Sequence, residues 1–442
     1  MELNSLRLRA LWDDLRTSLW ALPVGTTTMA FILAVSVAQF DRNGALGFGF
    51  TISSSQALSI LATIAGSMLT VVTMTFSILM VVMVLASQQF SPRILRNFMR
   101  GQTSQYVLSI FIGAFVYSLT VMLFIGENNV PVGAVGVAVL LALGSMVALI
   151  YYIDFIAKHT RVSYILAEIN RQTEGVLGKL RTNEQRHLPA EADNELLPTP
   201  PNDALHIFAE EVGYVQAIDF DEVVRLAAAD KVIIRMERIV GDFVSAHGDF
   251  LTIWPVDHVS EDLGDKLRAT FDIGTERTML EDVLLGLRQL EDIALKAVSP
   301  AVNDPTTASN CVNYMTNLLI LAAESPDLPT RYYDENSELR LFCQRSSFEA
   351  MIDLAFGQLR HYTSGDVAII EHLLEALCEI AQRTQRPARL EVLWRHARLI
   401  AHSAANHNVD PLERHKLNGK LKRLARQVGQ PADSILLNVN AN

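Results

Sequence analysis

Residues 57–87 read ALSILATIAGSMLTVVTMTFSILMVVMVLAS, a run without one charged side chain or histidine. About 20 apolar residues in a helix are enough to cross a hydrocarbon core of roughly 30 Å. At about 1.5 Å per residue, a helix over this run is about 45 Å long. The run therefore predicts a membrane-spanning helix that tilts or projects beyond the bilayer.

Three more runs of the same kind cover residues 20–40, 106–125 and 131–153, and none of them holds Asp, Glu, Lys, Arg or His. A buried helix of a large soluble protein can imitate one such run, but hardly four in succession. The sequence predicts an α-helical polytopic membrane protein with four transmembrane helices between residues 20 and 161. The lack of charge inside the spans argues against a proton-coupled pump, which needs a titratable group there.

Charge divides the 442 residues into two parts that suit different solvents. Up to Arg161 there are nine Lys and Arg against six Asp and Glu, a net charge of +3, which leaves 28 against 42 and a net charge of −14 for the rest. An acidic domain of this size repels nucleic acid, so no nucleic-acid partner is expected. The three cysteines, Cys311, Cys343 and Cys378, all lie in the acidic part, and their sparse, odd number is typical of reduced thiols in a cytosolic compartment.

Basic residues flank the predicted spans mainly on one side of the membrane. That side carries Arg7, Arg9, Arg16, Arg93, Arg96, Arg100, Lys158 and Arg161. The other side carries only Arg42, next to Asp41, and Glu127 without a base beside it. Because basic loops stay in the cytoplasm, both termini are predicted to be cytoplasmic.

Two segments beside the spans are predicted to lie in the membrane interface. Residues 1–19 have the pattern of an amphipathic helix on the inner leaflet. A helix after the second span places Arg93, Arg96 and Arg100 on one face, where they would meet lipid phosphates. The alternative for the second segment is an ordinary connecting helix packed on the soluble domain.

Small and hydroxyl-bearing residues recur along the second span at steps of three and four, so they share one face of the helix. They are Ser59, Thr63, Gly66, Ser67, Thr70, Thr73 and Ser77. Such a face either packs closely against a neighbouring helix or lines a water-filled path. Packing is the commoner use of small residues in membranes, and both interpretations remain open.

The remaining chain divides by composition into four segments. They are a helical extension over 162–180, a polar and proline-rich linker over 181–203, a small mixed α/β, barrel-like subdomain over 204–258, and a mainly helical region over 259–442. Together they predict a cytoplasmic α+β domain, a small β-rich subdomain with a helical bundle. Predicted strands cover 213–218, 231–236, 242–244 and 250–254, and predicted helices cover 219–229, 276–298, 348–362, 366–382, 390–405 and 411–427.

The helical extension has the alternating four- and three-residue spacing of a coiled-coil seam. Its seam positions are Val162, Leu166, Ile169, Thr173, Val176 and Leu180. The seam either packs on its own domain or joins protomers, and the second interpretation is slightly favoured.

A pair of polar turns interrupts the apolar helices of the C-terminal part. Asp304 has the character of a helix N-cap, with Pro305 at the first helical position. Free backbone amides at this helix start could hold an anion, or the segment is only a helix break. The candidate site comprises Ser299, Pro300, Asn303, Asp304, Pro305, Thr306 and Thr307.

Sequence signatures of catalysis are missing from the chain. There is no Gly-rich phosphate loop with a lysine, no dinucleotide-binding fingerprint and no nucleophile elbow. His396, His402 and His407 follow at steps of six and five, which do not place two zinc ligands on one helical face. We expect no catalytic residue, no cofactor and no metal site, and hence no enzyme.

Three short motifs carry a resemblance to a known family. They are SPAVNDPTTA at 299–308, QFSPR at 89–93 and GYVQ at 213–216. The chain resembles, over nearly its whole length, the bacterial membrane proteins grouped as domain of unknown function 2254. The resemblance implies a similar topology and a place in the bacterial inner membrane, and it supplies no activity and no catalytic residue.

Two functions from different classes fit these observations. The first is an oligomeric ion channel or channel-like permeation protein in which the second helix faces the central axis and the cytoplasmic domain regulates passage. The second is a membrane-anchored sensor or scaffold whose cytoplasmic domain binds a ligand or protein partner without transport. The expected partners are the lipid bilayer, further copies of the chain, and an ion or a small ligand.

Overall fold

The computed structural model describes residues 21–41, 52–89, 102–126, 129–184, 199–407, 409–432 and 435–437. The chain forms two compact units, an N-terminal unit (Met1–Tyr164) and a C-terminal unit (Ile165–Asn442). The predicted interfacial helix over 1–19 and the predicted lipid-facing residues Arg93, Arg96 and Arg100 lie outside the described residues.

Four helices make up the described part of the N-terminal unit. They are α1 (Ala21–Asp41), α2 (Ser54–Gln89), α3 (Gln102–Met122) and α4 (Val132–His159). Each is long and apolar enough to cross a membrane, which confirms the membrane part of the predicted fold class. Helix α3 is the central one, because half of its span is buried inside the unit, compared with 17% of the α2 span.

Polar residues outside the apolar runs determine where α2 begins and where α4 ends. Helix α2 begins three residues earlier than predicted because Ser53 and Gln56 form a reciprocal cap, in which each backbone amide donates to the other side chain at 3.1 and 3.3 Å. Helix α4 continues six residues beyond its predicted end, through an ion pair at 2.7 Å between Asp154 and Lys158.

The C-terminal unit combines helices with short strands, as predicted for its fold class. Most of α5 (Val162–Glu184) belongs to it, and the other helices are α6 (Phe220–Ala229), α7 (Leu263–Arg268), α8 (Val283–Ala297), α9 (Pro305–Glu324), α10 (Phe348–Tyr362), α11 (Val367–Ala381), α12 (Pro387–Ala405) and α13 (Pro411–Val428). The strands are β1 (Leu205–Phe208), β2 (Gly213–Ile218), β3 (Ile233–Met236), β4 (Phe243–Val244), β5 (Asp249–Trp254), β6 (Phe271–Gly274), β7 (Arg331–Tyr333) and β8 (Leu339–Cys343). Of the predicted linker, residues 181–184 continue α5, and 185–198 lie outside the described residues.

The strands form two sheets that reach well beyond the predicted β-rich subdomain. One sheet has the order β1-β5-β3-β8-β7, in which only β3 and β8 are parallel, and the other is the antiparallel sheet β4-β2-β6. The predicted boundary at residue 258 is therefore wrong, because β6, β7 and β8 complete the sheets. Both sheets are open in this order, so the barrel-like form is not found among the described strands.

The helix predicted over 276–298 begins seven residues late. Asp282 caps α8 by accepting a hydrogen bond from the Leu285 amide at 3.0 Å, and Arg277 binds the same carboxylate through Nε at 2.7 Å. A capped start at Asp282 leaves Leu280 outside the helix and 46% exposed. The apolar spacing through Leu280 gave no sign of this start.

The seam of α5 is covered by its own unit. Leu166 and Thr173 are fully buried, and Ile169 is 2% exposed. Helix α8 approaches so closely that a Cβ on Gly286 would lie 1.9 Å from Thr173 Oγ1. The preference for a seam between protomers is therefore wrong, because the seam is buried within its own unit. The spacing along α5 could not reveal this, since the contact of Gly286 with Thr173 joins residues far apart in the sequence.

Candidate functional site

The small and hydroxyl-bearing residues of α2 form one continuous outer surface, which we call the hydroxyl face. It comprises Ser59, Thr63, Gly66, Ser67, Thr70, Thr73 and Ser77, and all seven are exposed in this chain. The opposite side of α2, through Leu61, Ala65 and Met68, is buried in the unit. The structure thus places the predicted residues together, but not against α1, α3 or α4.

Hydroxyl groups on this face bond to their own helix. Thr63 Oγ1 donates to the Ser59 carbonyl at 2.7 Å, and Thr70 Oγ1 donates to the Gly66 carbonyl at 3.0 Å. Thr73 and Ser77 make the same bond one turn back, each at 2.9 Å. These four donors are therefore satisfied inside the helix, while their oxygen lone pairs remain as acceptors on its outer surface.

Among the described residues, no neighbour of Gly66 requires a glycine at this position. A Cβ built on this glycine meets nothing within 4 Å among the described residues. A glycine in a helix interior costs about 1 kcal/mol relative to alanine, so its presence here is unexplained by the fold of one chain. Small residues allow a close approach of a second helix, and the space in front of Gly66 is open to one.

A buried carboxylate links two helices of the N-terminal unit. Asp41, at the end of α1, is 9% exposed and accepts hydrogen bonds from the amides of Gly133 at 2.6 Å and Ala134 at 3.4 Å. These amides belong to the first turn of α4, which Pro131 precedes without a side-chain cap. Sequence reasoning assigned Asp41 to a loop beside Arg42, although a helix start without its own polar cap was a usable signal.

The predicted anion-binding turn between α8 and α9 bonds mainly to itself. Asp304 accepts from the Thr307 amide at 3.0 Å and from its hydroxyl at 2.6 Å, and these bonds hold the pKa of Asp304 below its ordinary value. The Asn303 amide donates to the Ser299 carbonyl at 2.9 Å, and Ser299 Oγ donates to the Lys296 carbonyl. Pro300, Asn303, Pro305 and Thr306 are exposed. This geometry is that of a capped helix break, and the anion site stays a prediction.

A cleft in the C-terminal unit was not found from the sequence. Its cavity volume is about 50 Å³. Leu177 and Leu180 of α5 line it together with Phe348 and Met351 of α10. The remaining lining residues are Val283 of α8, Ala322 of α9, the segment 325–329, Ser346 and Arg389 of α12. The cleft is therefore mainly apolar and contains one buried cation.

Arg389 is 5% exposed and holds the end of α9. Its Nη1 donates to the carbonyls of Ala322 at 3.0 Å, Ala323 at 2.7 Å and Ser325 at 2.9 Å. Its Nη2 donates to Asp327, and its Nε has no acceptor within hydrogen-bond distance in the described part of the chain. A buried arginine at the third position of a helix is unusual, but the sequence alone does not show that it is buried.

Two buried titratable side chains of the unit, His396 and Cys311, have shifted pKa values. His396 Nε2 lies 2.7 Å from Asp353 Oδ1, and burial lowers the pKa of this histidine. Burial raises the pKa of the Cys311 thiol to about 12, so the thiolate is scarce at neutral pH. Across the described ranges, no group of three or more His, Cys, Asp and Glu side chains has the arrangement of a metal site.

Comparison with known proteins gives a family and no activity. Uncharacterized proteins of Mycobacterium bovis and Mycobacterium tuberculosis are 30% identical to the chain over 441 residues, covering 96% of this chain and 83% of theirs. None of the solved structures matches it. A family model described as a predicted membrane protein matches residues 16–379. With four apolar helices ahead of a mixed helical and sheet unit, the chain belongs to this family, domain of unknown function 2254.

Proposed function

We propose that several copies of this protein assemble in the bacterial inner membrane as an ion channel or channel-like permeation protein, with the C-terminal unit regulating passage from the cytoplasm. The observation that carries the proposal is the exposure of all seven residues of the hydroxyl face. A row of oxygen acceptors on the outside of a membrane helix gains nothing from lipid, whereas water, an ion or a second copy of the helix can use it.

The outer surface of α4 has the character expected of lipid contact. Leu140, Leu143 and Met146 on α4 are between 58% and 66% exposed. The hydroxyl face therefore differs chemically from the surface that suits hydrocarbon. In an assembly that turns this face inward, the apolar surface of α4 remains for the bilayer, which supports an arrangement of α2 helices around an axis.

Ion flux into liposomes tests the proposal. The purified full-length protein is expected to raise flux above that of protein-free liposomes, and Thr70→Leu is expected to reduce it by about tenfold, because an apolar side chain replaces an acceptor on the path. Thr28→Leu on α1 is the matched control, since Thr28 is also exposed and bonds to its own helix at 3.0 Å. Absence of flux in the unsubstituted protein would reject the channel.

The second candidate is a membrane-anchored sensor or scaffold that does not transport. The mainly apolar cleft beside Arg389 favours it, because a concave apolar site with a few polar groups, here Arg389, Asp327 and two serines, is typical of ligand binding. A protein that binds a ligand in this cleft and gives no flux in liposomes would be a sensor rather than a channel. Neither candidate contains a catalytic step.

A further inference from the structure

Charge after the four apolar helices is strongly segregated along the chain. Residues 162–382 contain 17 Lys and Arg against 38 Asp and Glu, a net charge of −21, whereas residues 383–442 contain 11 against four, a net charge of +7. Helix α13 holds six of these 11 bases and one acid, Glu413, which forms a capping box with Asp410 at the helix start. Helix α13 is therefore a basic element of an otherwise acidic unit.

The exposed residues of α13 lie on one face of the helix. They are Leu412, His415, Lys416, Gly419, Lys422 and Arg426. At 3.6 residues per turn they fall within about 120° of the helix circumference and extend for about 21 Å along its axis. The opposite face, with Leu417, Leu421 and Leu424, is buried. We call the basic members of the exposed face, His415, Lys416, Lys422 and Arg426, the basic stripe.

The bases of α13 differ in their partners. Lys420 and Arg423, beside the stripe, both bind the carboxylate of Glu375 on α11. Lys416 and Lys422 have no ion pair within the described part of the chain. Arg426 Nε donates to the carbonyl of Lys422 at 3.3 Å, which leaves its charge without an acid among the described residues. The charge of the stripe is therefore available to a partner outside the unit.

A membrane surface fits this stripe better than a protein does. Four apolar helices hold the chain in a bilayer, so lipid headgroups are present near the C-terminal unit at a high effective concentration. An anionic leaflet attracts Lys and Arg within a Debye length, and it repels the acidic remainder of the unit, so the asymmetry of charge turns the stripe toward it. A protein interface usually has an apolar centre, whereas Leu412 is the one large apolar side chain on this face of the described helix.

We propose that the basic stripe docks on a bilayer that contains anionic phospholipids. Phosphate oxygens of the headgroups accept hydrogen bonds from Lys416, Lys422 and Arg426, and Leu412, which is 66% exposed, enters the headgroup region. The apolar face of α13 is already buried in the protein, so the helix does not insert and the contact is electrostatic. The inference does not depend on ion permeation.

A spin label in the middle of the stripe tests the contact. Gly419→Cys accepts a nitroxide label, because a Cβ there meets nothing within 4 Å in the described structure, and the three natural cysteines are at most 1% exposed. The full-length protein is placed in phosphatidylcholine nanodiscs and in nanodiscs with added phosphatidylglycerol, both with the same amount of a nickel-chelating lipid. Relaxation of the label by the nickel lipid is expected to be at least about twofold stronger in the anionic nanodiscs. Equal relaxation in both would overturn the proposal.

Two pairs of substitutions separate the stripe from the total charge. Lys416→Gln with Lys422→Gln is expected to remove about half or more of the rise in relaxation. Arg225→Gln with Lys266→Gln is the matched control, since it removes the same charge at side chains that are 66% and 47% exposed and are paired with acids of their own helices. The control pair should leave the rise unchanged. An unchanged rise in the stripe pair, or an equal loss in both pairs, would overturn the proposal.

Salt and label mobility distinguish lipid from a second copy of the chain. Raising the salt concentration from about 0.1 M to about 1 M shortens the Debye length from about 10 Å to about 3 Å and should abolish the rise. A rise that persists at high salt would contradict an electrostatic contact. A label that is immobilised equally in both kinds of nanodisc, without a rise in nickel relaxation, would overturn the proposal and favour contact with another copy.

Discussion

The carboxylate of Asp41 accepts a hydrogen bond at 2.6 Å from the amide of Gly133, a residue 92 positions further along the chain. The contact joins the end of α1 to the start of α4. The first backbone amides of a helix have no acceptor within the helix, and hydrocarbon offers none in its place. The carboxylate also carries the charge sign that the positive end of the α4 dipole favours.

Replacing Asp41 should therefore destabilise the N-terminal unit. Asp41→Ala is expected to cost about 1–3 kcal/mol, because buried amides lose their acceptor, and Asp41→Asn should cost less because its carbonyl oxygen still accepts. Thermal unfolding in detergent measures both. Asp154→Ala is the control, since its ion pair with Lys158 is more than half exposed and should matter little. Equal unfolding temperatures for Asp41→Ala and Asp154→Ala would contradict a capping role.

A second prediction concerns the contact of α5 with α8. Gly286→Ala should destabilise the C-terminal unit by about 1–3 kcal/mol, because the new Cβ would lie 1.9 Å from Thr173 Oγ1 and 2.9 Å from Thr173 Cβ. Gly357→Ala on α10 is the matched control, since a Cβ there meets nothing within 4 Å in the described structure. It should stabilise the helix slightly, by about 0.5–1 kcal/mol. Denaturant unfolding distinguishes the two, and a neutral Gly286→Ala would show that α5 is not packed this closely.

The structure also shows how far local sequence patterns reach. The strand at Gly213–Ile218 and the helix at Phe348–Tyr362 have the predicted bounds, because alternation and helical spacing are properties of adjacent residues. The parallel pairing of Ile234 with Leu341 was missed, since strands more than 100 residues apart leave no local signal of their partnership. The predicted end of the sheet subdomain at 258 failed for this reason.

The candidate sites also differ in how far the local sequence predicted them. Helical spacing was sufficient to place Thr63, Thr70 and Ser77 on one face of α2, but only the packing of α3 and α4 decides that this face points out of the unit. Arg389 had no signal, because its burial depends on the end of α9 folding back beside α12, with Ala322 more than 60 residues earlier in the chain.

A third prediction follows from the buried histidine His396. Its side chain lies beside Asp353 and in the field of Arg395 and Arg360, and burial, the largest effect, lowers its pKa below the ordinary value of about 6.5. The unfolded chain therefore binds a proton more readily than the folded one. This contribution to stability is complete above about pH 6.5 and is lost as the pH falls toward the lowered pKa of the folded state.

The free energy of unfolding, measured from about pH 7.5 down to pH 5, should thus decrease, and His396→Gln should flatten part of that decrease. His415→Gln is the matched control variant, because His415 is an exposed histidine on α13. An unaltered slope in His396→Gln would show that protonation of His396 is not coupled to unfolding.

The last prediction tests whether hydroxyl faces of different copies meet. Thr70→Cys should form a disulfide-linked dimer when membranes are treated with a mild oxidant, because a central arrangement of α2 helices brings this position close to its counterpart in another copy. The natural cysteines do not interfere, since Cys311, Cys343 and Cys378 are at most 1% exposed. Leu140→Cys on α4 is the control, because Leu140 is 66% exposed on the surface assigned to lipid. Gel electrophoresis without reductant should show the dimer for Thr70→Cys alone. Equal linking at the two positions, or none at Thr70, would mean that α2 does not face an assembly axis, and the pore proposal would lose its geometric basis.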